Sequence, residues 1–549
     1  GLNDSVIIDY GANDFTVAIA STTVSINSLA SRAALAINGS QLLVSTNSTL
    51  EGNLALSNSS LGGTGNFLVL GDSRLLNSEL KGADGSLLEN RGVLTMLGNN
   101  YLTGRSLLNA IDSAMLWSKD DYAHQQLSTS GNVTITNQGT VKFLGIDGYH
   151  AAIYPAAEQP YPHFINAGTI EKLGDVVTPV YIAAQFDQLP GASIDIQFGD
   201  LHLGNSPTLS SHISGTVSGF DGSKLFVEGG ALEFAGDSTV NVDLAEFNGT
   251  TAQVQGLWTT RSTTSSNSST VEFLSTAPTV TDLNLFNSTF NFSPTTTPEV
   301  LTLGSLELSN SLLQGTDDFL VLGDSRLLNS ELKGADGSLL ENRGVLTMLG
   351  NNYLTGRSLL NAVDSTMLWS KDDYAHQLLI TSGNVTITNE GTAKFLGIEG
   401  YYAYIYPAAE EPYPHFINAG TIEKLGDVDT PVFITAQFDQ LPGASIDIQL
   451  GNLHLRNSPT ATSHVSGTVS GLDGSKLLVE GGALEFAGDS TVNVDLAEFN
   501  NTTVQVQGLW TTRSSTSSNS STVEFISLVA DLGDLTLFNS SFDFGGGAG

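Results

Sequence analysis

Along the chain, short apolar runs alternate with Gly, Asn, Ser and Asp: Leu54-Ala55-Leu56, Phe67-Leu68-Val69-Leu70, Val133-Thr134-Ile135, Ile194-Asp195-Ile196, Leu232-Glu233-Phe234, Val240-Asn241-Val242. Apolar residues two apart, with β-branched or aromatic residues among them, predict strands. A helical period is almost absent, and Ser106–Trp117 is the one stretch that reads as a helix. The pattern predicts an all-β chain of many short strands.

The pattern also repeats at long range. The stretch that begins at Phe67 begins again at Phe319, 252 residues on, and the offset holds for Trp117 and Trp369, Phe164 and Phe416, Trp258 and Trp510. A fixed period marks arrays whose units bury their apolar faces against one another. We divide the chain into residues 1–48, a diverged strand segment or the tail of a preceding unit, and two blocks, 49–301 and 302–549.

Within each block a corner motif recurs, Asn-x-Gly-x-apolar-x-x-Leu-Gly. It starts at Asn90, Asn137 and Asn166, with Gly92, Gly139 and Gly168, and again at Asn342, Asn389 and Asn418, with Gly344, Gly391 and Gly420. Gly supplies positive φ at a tight corner, and Asn tolerates the left-handed region while bonding nearby backbone. The same corner before each strand predicts coils that turn at one place, so that Asn side chains stack in ladders. A β-sandwich would need two-residue hairpin turns between matched runs, and these are scarce. At roughly 20 residues per coil and ~4.8 Å per stacked strand, each block would rise about 60 Å.

Phrases such as FINAGTIEKLGD, LLENRGVLTMLGNN and VSGFDGSKLFVEGGALEFAGD resemble the β-strand-repeat regions of large bacterial secreted and surface proteins. The resemblance spans both blocks. It implies the right-handed parallel β-helix (β-solenoid) of filamentous adhesins and autotransporter passengers, here built from tandem 252-residue blocks. It carries no catalytic signature. The Tyr/Pro-rich stretches and long Ser/Thr tracts depart from it.

Composition narrows the functions. A net charge of −36 repels nucleic-acid phosphates and anionic membranes. With 40% hydrophobic residues the chain can form a sizeable core, and with no cysteine it has neither disulfides nor thiolate metal sites. No run is long enough to span a membrane as a helix. No basic, apolar leader stands at Gly1, so a signal peptide is expected to be absent or removed. No cofactor is expected, and calcium on the acidic surface stays open.

Three stretches hold candidate chemistry. Lys119-Asp120-Asp121-Tyr122-Ala123-His124, copied with Asp372 and His376, could bind a cation or move protons, or could be a polar corner loop. The Tyr/Pro stretches carry Tyr149, Tyr154 and Tyr161, and in the second block Tyr401, Tyr406 and Tyr413. Their prolines argue against a central ladder, so they are expected to bulge and to offer rings to a partner, or to fold back over their own coil. The third is the Ser/Thr tract after Trp258 and Trp510, a flexible loop or a flat polar face. His163 and His415 lack a second ligand at metal spacing and read as structural. Asn-x-Ser/Thr acceptors are plentiful, Asn58, Asn267, Asn287 and Asn519 among them.

The leading expectation is an extracellular or cell-surface structural protein, not an enzyme. Its coils would associate head to tail with other copies in a filament, sheath or fibre. The alternatives are an adhesin-like stalk that binds glycans, cells or neighbouring fibres, and a polysaccharide lyase or hydrolase.

Overall fold

A computed structural model describes residues 4–9, 15–118, 124–145, 149–157, 160–174, 178–274, 278–292, 300–370, 376–397, 400–409, 412–426, 430–526 and 530–545. These residues form strands and turns without a helix, and every strand pairing among them is parallel. The chain is a β-solenoid of about 24 turns at ~21 residues each. It divides into two compact units, 1–279 and 280–549.

One turn of the first unit shows the principle. Thr134–Asn137, Thr140–Phe143 and Ala151–Pro155 are its three strands. The next turn stacks His163–Asn166, Thr169–Lys172 and Val180–Gln188 onto them, with Ile135 opposite Phe164, Val141 opposite Ile170 and Ile153 opposite Ile182. Like residues therefore form columns. Alternate side chains point inward, and Ile135, Val141, Ile153, Phe164 and Ile170 are fully buried. Each such side chain contributes about 1.5–3 kcal/mol by leaving water. The second unit repeats the arrangement, with Ile387 opposite Phe416 and Ile405 opposite Ile434.

The structure corrects two expectations. Ser106–Trp117 is not a helix: it belongs to the strands Asn99–Asn109 and Ala114–Trp117, joined by a turn in which Asp112 takes φ 63°. The period there is two, since Leu107, Asn109, Met115 and Trp117 all point inward. The Tyr/Pro stretch does not bulge at Ala151–Pro155, which pairs with Gln125–Thr129 on one side and Val180–Ile182 on the other. Pro155 closes that strand, where the N–H it lacks costs the ladder least.

Two arginines lie in the interior. Arg105 is 1% exposed, and its guanidinium donates to the carbonyls of Gly63 and Gly65 at 3.0 Å, Leu87 at 3.1 Å and Lys81 at 3.2 Å. It thus ties its own turn to the two before it. Arg357 makes the equivalent bonds to Gly315, Asp317 and Leu339 and lies 4.1 Å over the Phe319 ring. Burial lowers both guanidinium pKa values to about 10, which leaves them charged at neutral pH.

Candidate functional site

The motif asparagines lie inside the coil. In the first unit Asn90 donates to Asn109 (3.0 Å), Asn109 to Asn137 (2.8 Å), Asn137 to Asn166 (2.8 Å) and Asn166 to Gln188 (3.4 Å). Gln188 ends the column on the carbonyls of Ser214 and Thr216. The second unit builds the same column from Asn342, Asn361, Asn389, Asn418 and Gln440. Each Asn also donates to a backbone carbonyl, as Asn137 does to Thr169 at 3.1 Å. Chains of amides in a dry interior polarise and strengthen one another.

The corner motif missed Asn109, Gln188, Asn361 and Gln440. A different pattern holds all the members: an apolar residue, one spacer, then Asn or Gln at a strand end, as in Leu107-Leu108-Asn109 and Phe186-Asp187-Gln188.

The reason for the motif glycines is corrected. None of Gly92, Gly139, Gly168, Gly344, Gly391 and Gly420 takes a positive φ. What they need is space. A Cβ on Gly139 would lie 2.2 Å from the Ser113 carbonyl oxygen, one on Gly168 2.1 Å from that of Gly139, and one on Gly420 2.1 Å from that of Gly391. Successive corners are packed backbone on backbone. Positive φ falls instead on the motif's closing glycines, Gly98, Gly145, Gly350 and Gly397, and on asparagines at other corners, among them Asn58, Asn77, Asn287, Asn310 and Asn329, each followed by a serine. At those corners the hydroxyl of one serine accepts from the N–H of the serine one turn back, as Ser78 does from Ser59 and Ser330 from Ser311.

The six candidate tyrosines are half-buried. Tyr149 and Tyr401 set their rings 5.2 and 5.3 Å from His124 and His376. Tyr154 donates to Gln126 Oε1 at 2.8 Å. Tyr406 packs 4.5 Å from Tyr404, and burial, followed by the neighbouring phenols of Tyr353, Tyr402 and Tyr404, raises its pKa. Tyr161 and Tyr413 precede the strands at His163 and His415. The Asp120-Asp121 pair and its copy at Asp372 lie outside the described residues.

His163 and His415 enter carboxylate networks. His163 Nε2 lies 2.6 Å from Asp187, which also meets His212 Nδ1 at 3.1 Å; His415, Asp439 and His464 repeat this at 2.7 and 3.1 Å. Burial pushes Asp187 up, but the bonds from both imidazoles outweigh it and hold the carboxyl below its usual range. Among the described residues no group of three or more His, Asp or Glu is placed to hold a metal ion.

One outer face gathers many of the differences between the copies. It is built from Gln125–Ser130, Ala151–Pro155, Val180–Gln188, Gly199–Asn205 and Ser223–Glu228, and in the second unit from the strands 252 residues on. The inward residues of these strands recur unchanged: Leu127 as Leu379, Ile153 as Ile405, Ile182 as Ile434, Leu203 as Leu455, Val227 as Val479. Six outward ones do not: Gln126 becomes Leu378, Ala152 Tyr404, Tyr181 Phe433, Ala183 Thr435, Gly204 Arg456 and Phe226 Leu478, while Tyr154, His202, Lys224 and Glu228 are kept as Tyr406, His454, Lys476 and Glu480. On the neighbouring faces most outward positions are kept, as Thr134, Lys142, His163, Thr169 and Glu171 return as Thr386, Lys394, His415, Thr421 and Glu423, although Ala114 becomes Thr366 and Ser210 becomes Thr462.

The changed face is aromatic. His150, Tyr181, His202 and Phe226 follow one another at ring separations of 5.9, 4.4 and 4.2 Å. In the second unit Tyr402, Tyr404, Phe433 and His454 form the counterpart.

Among the described residues no helix is long and apolar enough to cross a membrane. No protein-family model, no curated protein and no solved structure matches this chain.

Proposed function

We propose that the protein is an extracellular or cell-surface structural β-solenoid whose turns stack on those of further copies, extending the ladder into a filament or fibre. One comparison within the second unit carries this reading. The turn Asp282–Phe292 is nearly identical in sequence to Asp534–Phe544. The first is covered by Ser305–Ser309 and Leu312–Gly315, in register. Its Leu283, Leu285 and Phe292 are at most 1% exposed. In the second turn Leu535, Leu537 and Phe544 are 39%, 44% and 52% exposed. A turn stacked on Asp534–Phe544 as Ser305–Gly315 is stacked on Asp282–Phe292 would bury these half-covered side chains, each gaining roughly 1 kcal/mol. The turn Thr16–Ile26 has the same build: Val17 and Ile19, a left-handed Ser21, then Val24 and Ile26. A contact of this kind does not close on itself, so it propagates.

Electron microscopy of the purified chain tests the proposal. Fibres that vanish in Leu535→Lys with Leu537→Lys support it. Monomers at high concentration, or fibres indifferent to those changes, end it. A second reading, a stalk that displays a binding face, is favoured by the outer face that gathers many of the differences between the copies.

A further inference from the structure

We infer that the outer face of the first unit is a receptor for a guanidinium group, the arginine side chain of a partner polypeptide, at the place where the second copy seats its own Arg456. This deepens the stalk reading and does not depend on stacking.

The second copy shows the occupied form. Arg456 Cζ lies 4.3 Å over the Phe433 ring and 5.6 Å from that of Tyr404. Its Nε donates to Glu480 Oε2 at 2.6 Å and its Nη1 to Tyr404 Oη at 2.8 Å. Ring, carboxylate and planar cation form one unit, an arrangement suited to guanidinium rather than to a spherical ammonium.

In the first copy the cation is gone and much of its seat remains. Gly204 stands for Arg456 and Ala152 for Tyr404, while Tyr181, His202 and Glu228 stand for Phe433, His454 and Glu480. The register is the same: Tyr181 lies opposite His202 and Gly204 opposite Glu228, as Phe433 lies opposite His454 and Arg456 opposite Glu480. A Cβ on Gly204 would be in ordinary contact, 3.5 Å from the Cα and Cβ of Ala183, so the position accepts a side chain. Tyr181 is 36% exposed.

The charge has moved as a vacated cation seat requires. In the second copy Arg456 and Lys476 face Glu480 and Glu498; in the first, Lys224 is the one Lys or Arg among Asp200, Glu228 and Glu246, and His202 Nδ1 lies 3.2 Å from Glu228 as His454 lies 3.4 Å from Glu480. Asp200 replaces Asn452, so the set goes from neutral to two negative charges. Burial, then Glu228 and Asp200, raise the Tyr181 phenol pKa, and burial, then Glu228, raise that of Glu246. Burial is the larger cause in both, and the neighbouring carboxylates add to it. The chain's net charge of −36 steers a cationic partner toward it.

Titration calorimetry on the full chain at low salt tests the inference with the peptide acetyl-Gly-Arg-Gly-amide and its lysine and citrulline analogues. The arginine peptide binds once per chain, the lysine peptide about tenfold more weakly, and the uncharged citrulline peptide not at all. Gly204→Arg, which installs the residue the second copy already accommodates, abolishes binding. Arg456→Gly with Tyr404→Ala creates a second site. Circular dichroism checks that each variant keeps its strands. Association of the parent chain with itself, lost in Gly204→Arg, would identify the arginine as that of a second copy and support the inference. Arginine binding no tighter than citrulline, or unchanged by Gly204→Arg, overturns it.

Discussion

Asn137→Asp isolates what the buried ladder contributes. The replacement keeps the size of the side chain and changes its hydrogen-bonding capacity. Asn137 Nδ2 donates to Asn166 Oδ1 at 2.8 Å and to the Thr169 carbonyl at 3.1 Å, while its Oδ1 accepts from Asn109 at 2.8 Å. The residue is fully buried. An ionised carboxylate keeps the bond from Asn109 but faces two acceptors with no proton to give. It therefore remains protonated in the folded state, and buried carboxyls of this kind reach pKa values of ~8 against ~3.9 unfolded. At ~1.4 kcal/mol per pKa unit, the folded state at pH 7 is penalised by roughly 4 kcal/mol relative to pH 3. The sign is fixed. The folded state holds the extra proton, so the deficit is small below the unfolded pKa and grows as pH rises through 4 to 7. Urea unfolding of variant and parent, compared at each pH, cancels the titration of the other acids. Asn137→Ala gives a pH-independent loss of about 2–4 kcal/mol, from three lost hydrogen bonds and a small cavity. A deficit for Asn137→Asp below 1 kcal/mol at pH 7, or one that does not shrink on acidification, would refute the argument.

Gly168→Ala drives a Cβ to 2.1 Å from the Gly139 carbonyl oxygen and loses several kcal/mol by thermal unfolding, whereas Gly236→Ala meets nothing within 4 Å and stays within about 0.5 kcal/mol. Arg105→Met leaves four buried or part-buried carbonyls without its guanidinium and loses about 3–5 kcal/mol, read as faster hydrogen exchange at Gly63, Gly65 and Leu87. With His454 Nδ1 at 3.4 Å and Arg456 Nε at 2.6 Å, the Glu480 carboxyl is drawn down to about 2 from 4.5. Its contribution, about 1–2 kcal/mol after solvent screening, is full above pH ~4.5 and is lost as pH falls toward 2. Glu480→Gln therefore differs from the parent at pH 6 and converges with it at pH 2 in acid-unfolding curves.

The coil was legible because its core is written at the shortest range there is. Alternation in Thr134-Ile135-Thr136-Asn137 sets which side faces inward, and turn-by-turn repetition sets what stacks on what. The corner residues were found for a partly wrong reason. Gly139 and Gly168 were recognisable as special, but whether a glycine serves a positive φ or a close approach depends on the neighbouring turn, which lies about 29 residues away in sequence. Arg105 could not be read as buried, because its four acceptors are backbone carbonyls, which any residue supplies. The proline argument at Pro155 failed because one missing N–H at a strand end is a small loss against the bonds made by the rest of the strand.

The outer face shows why a solenoid can keep its fold while changing what it recognises. Each turn bonds mainly to its two neighbours, so stability is close to a sum over turns. Inward exchanges are felt in that sum, since a column such as Ile135, Phe164 and Phe186 must fit along its length. Outward exchanges such as Ala152 to Tyr404 or Gly204 to Arg456 leave those columns untouched. Two copies that began alike can then diverge on one face at little cost in stability. Thr134, Lys142, Thr169 and Glu171 show that outward positions do not drift merely because they are free to do so. The changes gather where His150, Tyr181, His202 and Phe226 form an aromatic track, and one of them exchanges a filled cation seat for an open one. Relaxed packing alone would spread exchanges evenly, like the scattered Ala114 to Thr366, Val141 to Ala393 and Ser210 to Thr462; the denser cluster on this face is what different partners for the two copies would produce.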